Sequence, residues 1–121
     1  MKRLIGLALL AASFGAPAFA DCTYPKAPSA IPDGNTAALE EMVVAKKSVE
    51  AYNKDMEGYL SCIRLEADGA MKPGSTLTED QKKQAAAQYA QKNDAAVDEL
   101  QAVAARLNEQ IRVYKSKHPP K

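Results

Sequence analysis

The residues of this chain whose types could do chemistry are few: two cysteines, one histidine and a scatter of carboxylates. Cys22 and Cys62 could exchange disulfides, but that chemistry favours two cysteines close in sequence at a helix start, where the helix dipole lowers a thiol pKa. Cys62 instead sits between Ser61 and Ile63, near the end of a predicted helix. Placement therefore favours a structural bridge, with an intermolecular bridge and then a reactive pair as lesser alternatives. His118 lies in the tail Lys117-His118-Pro119-Pro120, and no further zinc ligands visibly converge on it. Glu40, Glu41, Asp55 and Glu57 alternate with Lys46, Lys47 and Lys54, so they read as a solvated helix face, with Glu50 and Lys54 as a four-residue ion pair. There is no glycine-rich phosphate loop and no nucleophile elbow. The expectation is a non-catalytic protein without cofactor-binding or metal-ligating residues.

The elements that must position these residues begin after an export signal. Lys2 and Arg3 precede an apolar stretch over Leu4 to Phe14, and Pro17 with Ala18-Phe19-Ala20 completes a signal peptide over residues 1–20, cut before Asp21. The stretch is too short to span a bilayer, and no later apolar run is long enough. A lipid-modified cysteine would have to be the first mature residue, and the acidic Asp21 before Cys22 speaks against that. The expected location is the periplasm, with no stable membrane anchor. Removing 20 of the 121 residues leaves 101, enough for one small domain. Loss of Lys2 and Arg3 turns the formal charge from +1 to −1, a balance that argues against nucleic-acid binding.

Three regions follow. Residues 21–35 hold Pro25, Pro28, Pro32 and Gly34 without helical periodicity, which predicts an extended, polyproline-like segment. From about residue 36 to 67, Met42, Ala45, Val49, Tyr52, Met56, Tyr59 and Ile63 recur in steps of three and four, the mark of a helix with one narrow apolar seam. Asp68-Gly69 and Pro73-Gly74 should break the chain, with Gly69 as a helix C-terminal cap. A second helix is predicted over 78–117. Thr78 and Gln81 form a capping box at its start, and Glu79 and Asp80 lie on its positive end. Its stripe runs through Tyr89, Asn93, Ala96, Leu100, Val103, Leu107 and Tyr114, widened by Val97, Ala104 and Ile111; Asn93 reads as a register-setting polar residue. The fold class is thus all-α: an antiparallel two-helix hairpin over 36–118, open to dimerising into a four-helix bundle, with a tail at 119–121.

Chain geometry brings the cysteines together. The 12 residues from Cys22 to Gly34 cover ~37 Å at the polyproline rise, and the 27 from Asn35 to Cys62 cover ~40 Å at the helical rise. A proline segment folded back along the first helix therefore delivers Cys22 beside Cys62. Such a bridge closes a loop worth on the order of 4 kcal/mol in the chain-entropy model.

Two resemblances bear on function. Cys22, Pro25, Pro28, Ile31-Pro32-Asp33-Gly34, Glu41-Met42, Val49, Tyr52 and Tyr59-Leu60-Ser61-Cys62 together resemble a recurring pattern in small uncharacterised exported proteins of Gram-negative bacteria, a likeness that brings no activity with it. Leu77-Thr78-Glu79-Asp80-Gln81 is similar to the Leu-Thr-x-x-Gln signature of the Spy/CpxP periplasmic chaperones, which implies helical proteins that bind unfolded clients under envelope stress. Here the signature occurs once rather than twice, on a near-neutral chain. The candidate interaction seam is Met42, Val49, Tyr52, Met56, Tyr59, Ile63, Leu100 and Leu107, because methionine and tyrosine serve both cores and adaptable interfaces. The expected role is contact through helix faces with a protein partner or a second copy, and the alternative is a holdase-type chaperone.

Overall fold

The computed structural model describes residues 22–120, so the expected signal peptide lies outside the described residues. Two helices, α1 (Leu39–Met71) and α2 (Glu79–Lys117), pack against each other as an antiparallel hairpin, with no strand among the described residues. At 33 and 39 residues they are ~50 and ~58 Å long by the helical rise. Residues 22–38 carry no regular structure beyond a turn at 34–36.

Both ends of α1 differ from expectation. The helix starts three residues late because Asp33 organises a turn first: its backbone carbonyl accepts from the amides of Thr36 and Ala37, and its side chain accepts from the Asn35 amide. Ala38 then serves as N-cap without a capping side chain, and Glu41 reaches back to the Ala38 amide at 2.7 Å. At the other end α1 runs through Asp68 and Gly69 to Met71, so Gly69 is not its cap. Proline does the stopping. Lys72 is driven to extended backbone (φ −57°, ψ 143°) by the following Pro73, and Gly74 takes φ 85° in a turn closed by the Ser75 amide on the Lys72 carbonyl. The α2 cap is as predicted: the Gln81 amide donates to Thr78 Oγ1 at 3.2 Å, and the Thr78 amide donates to Gln81 Oε1 at 2.9 Å.

The core is the α1 seam closed against α2. Ala45, Val49, Tyr52, Met56, Tyr59 and Ile63 meet Ala96, Val103 and Leu107, with Met56 and Val103 fully enclosed. Leu100, Tyr89 and Ile111 pack at the margin. A two-helix seam leaves a groove on each side, and one of these is filled by the segment before α1. Ala27 and Ile31 of that strap pack onto the core. This third element is what lets so thin a hairpin bury whole tyrosine and methionine side chains.

Candidate functional site

The strap is fixed at both ends. At its start Cys22 and Cys62 form a disulfide, Cα to Cα 5.7 Å, between residues 40 apart in sequence. The matched lengths of strap and helix are therefore realised inside one chain. At its other end the Gly34 amide donates to Gln110 Oε1 at 2.8 Å, and Gly34 lies so close to α2 that a Cβ there would strike the Gln110 carbonyl oxygen and come within 2.7 Å of the Tyr114 amide nitrogen. Between these anchors Tyr24 packs edge-on against Tyr59, ring centres 4.9 Å apart, and its hydroxyl donates to Glu99 Oε2.

This arrangement sets the electrostatics of the strapped groove. Burial, together with the hydrogen bond and negative charge of Glu99, holds the Tyr24 phenol well above its ordinary range. Tyr52 is pushed up as well, first by burial and then by Glu99, with Arg106 opposing. The Tyr52 hydroxyl is enclosed without a hydrogen-bond partner, so Glu99 acts on it as a nearby charge while accepting the proton of Tyr24. Both phenols are thereby kept protonated, the opposite of what a tyrosine nucleophile or base requires.

Cys22, Cys62 and Glu66 bring their ligand atoms within 4.8 Å of one another. The two sulfurs are bonded to each other, so neither is available as a thiolate ligand, and a lone carboxylate remains. His118 is exposed but not merely a solvated tail: its ring stacks on Tyr114 at 4.1 Å and its Nδ1 lies 3.0 Å from the Tyr114 carbonyl oxygen. Glu50 pairs with Lys46 at 3.8 Å rather than with Lys54, although all three lie exposed on one stripe of α1.

The candidate seam is interior. Met42, Val49, Tyr52, Met56, Tyr59, Ile63 and Leu107 are all buried within the chain, and Leu100 is half-buried. Any contact with a partner would therefore fall on other surfaces. Asn93 also stands at the half-buried margin rather than in the core.

Two such surfaces were not legible from periodicity. One is the start of α1, where Leu39, Val43 and Val44 are 58 %, 42 % and 62 % exposed. The other is at the tip of the hairpin. The strap ends at Cys62, and beyond it a hollow of about 350 Å³ opens between the helices, lined by Ile63, Ala67, Ala70, Leu77, Ala85 and Tyr89 with Glu66, Gln88 and Lys92 at its rim. Its signal in the sequence is a thinning of the stripe, where alanines stand in place of large side chains: α2 contributes no buried residue before Ala96.

No family model matches this chain, and no curated protein or solved structure does.

Proposed function

We propose that this is an exported, periplasmic, non-catalytic protein that acts through helix-face contacts with another protein or a second copy of itself. The observation that carries this reading is the apolar surface left over once the core has closed. Leu39, Val43 and Val44 form a patch at the start of α1, while Leu65 (69 % exposed) and Met71 (41 %) stand at the tip. Clustered exposed apolar side chains on a small domain mark contact surfaces. The disulfide supports the assignment to an oxidising compartment, and none of the described helices is long and apolar enough to cross a membrane. Site-specific photocrosslinking in periplasm tests it. A photoreactive residue at Val43 or Leu65 should give a discrete protein adduct, and one at Lys115 should not. Absence of any adduct at both apolar positions would remove the reading.

A holdase-type chaperone is the second reading, favoured by the open hollow at the tip, where Ile63, Leu77 and Tyr89 stand beside the polar Glu66, Gln88 and Lys92. It predicts that the oxidised protein delays aggregation of an unfolded client at equimolar ratio.

A further inference from the structure

The two ends of the strap are held in different ways. At the Gly34 end the glycine is buried against α2, its amide donates to Gln110 Oε1, and the chain runs straight on into the Asp33 turn that precedes α1. At the other end the strap is held by the disulfide and by Tyr24, a side chain 41 % exposed, whose ring packs against Tyr59 and whose hydroxyl donates to Glu99. Between the two, residues 25–33 make no hydrogen bond to either helix among the described residues and pack on the core through Ala27 and Ile31. The bond between Cys22 and Cys62, both half-buried, is therefore what keeps the first half of the strap in place.

Glu99 stands between two phenols. Tyr52 lies beneath the strap, lining one hollow with Lys26, Pro28 and Ala30, and its hydroxyl is enclosed without a hydrogen-bond partner. Glu99 is near enough to act on Tyr52, but its Oε2 accepts the proton of Tyr24. An enclosed hydroxyl left without a partner is unfavourable, and here it lasts only as long as Tyr24 keeps the acceptor.

We propose that the Cys22–Cys62 bond is a reducible clasp: when a dithiol opens it, residues 22–30 leave the groove, the Gly34 end stays seated, and Glu99 passes from Tyr24 to Tyr52. The dithiol gives up two electrons and two protons and leaves as its own disulfide, while Cys22 and Cys62 take them up and become two thiols. The seam of Val49, Met56 and Ile63 with Ala96, Val103 and Leu107 joins the helices directly, so the hairpin keeps its form as the strap departs. Release uncovers the side of Tyr59 that Tyr24 covers. This inference stands apart from the contact-protein reading, since it depends on the strap and not on the exposed patches.

Trypsin reads the opening at Lys26, the one basic residue of the strap, and reads loss of the helices at Lys47 of α1 and Lys92 of α2. With dithiothreitol as the dithiol, cleavage of the mature protein after Lys26 should quicken at least about tenfold while Lys47 and Lys92 are cut no faster. Cys22→Ser without reductant should match the reduced chain. Tyr52→Phe removes only a hydroxyl that has no partner, so the variant folds, and its reduced form should be cut at Lys26 at least about threefold more slowly than the reduced native chain. Equal cleavage at Lys26 before and after reduction overturns the proposal, as does parallel acceleration at Lys47 and Lys92, the sign of a hairpin that unfolds as a whole. A Tyr52→Phe variant that opens like the native chain overturns the passage of Glu99 to Tyr52. If the clasp fails while Val43 or Leu65 still crosslinks to a partner, the contact-protein reading stands; missing crosslinks remove that reading and leave the clasp in place.

Discussion

Gly34 carries a constraint that comes from space rather than from backbone angle. Its φ is not positive, yet a Cβ would run into the Gln110 carbonyl oxygen and the Tyr114 amide, and Val113 Cβ would lie 3.1 Å away. The Gln110 oxygen and the Tyr114 nitrogen belong to helix backbone and cannot yield. Gly34→Ala should lift the strap's end from α2, break the amide bond to Gln110 and cost about 1–3 kcal/mol, measured by urea unfolding. The Tyr24 and Tyr52 phenols give a second residue-scale expectation. Both are raised above the unfolded value of about 10, so folding holds protons that the unfolded chain releases. Their contribution is complete below about pH 10 and is lost as pH climbs from there through the folded values. Unfolding free energy measured on a rising alkaline series should fall accordingly, and Tyr24→Phe should shallow the fall. Neither effect was readable from the sequence, because each depends on a contact between residues more than 70 positions apart: Gly34 with Gln110, and Tyr24 with Glu99.

At the scale of elements, local chemistry was legible where it is self-contained and misleading where it competes with a stronger neighbour. The Thr78-Gln81 box closes within four residues, and the structure forms it as the spacing predicts. Gly69 looked like a helix stop, but nothing there calls for left-handed backbone, and the helix continues two residues further until Pro73 forbids it. Because Gly69 is helical and a Cβ there would meet nothing within 4 Å, Gly69→Ala should stabilise the protein by about 0.5–1 kcal/mol in thermal or urea unfolding. Destabilisation would show that the tip of α1 is not helical through this position. The seam was legible as a stripe on α1, and its destination was not. Periodicity identifies which face is buried without saying whether a helix of the same chain, a second copy or a client covers it. Here α2 and the strap cover it together, which is why the proposed contacts move to Val43, Val44 and the tip.

The whole molecule is a hairpin of unequal halves. Where the strap runs, three elements enclose the core; beyond Cys62 the described chain has two, and past the buried Ile63 the residues Ala67, Ala70, Leu77, Ala85 and Tyr89 are only half-buried. The disulfide sets that division, since it fixes how far along the groove the strap reaches. It also closes a 40-residue loop, a contribution of about 4 kcal/mol in the chain-entropy model and a large share of what a domain of this size retains. The length match between proline segment and helix made this legible from rise per residue alone. The hollow left only a weak mark, alanines in place of large side chains in the first half of the α2 stripe, which periodicity does not register.

The most direct test of this account is native mass spectrometry on the protein taken from the periplasm without reductant, with tryptic mapping of its cysteines. The account predicts a subunit beginning at Asp21, lighter than the dithiol by two hydrogens, with Cys22 and Cys62 joined within one chain. Two free thiols, or a Cys22–Cys62 bond between subunits, would contradict the stapled strap and with it the core that the strap closes.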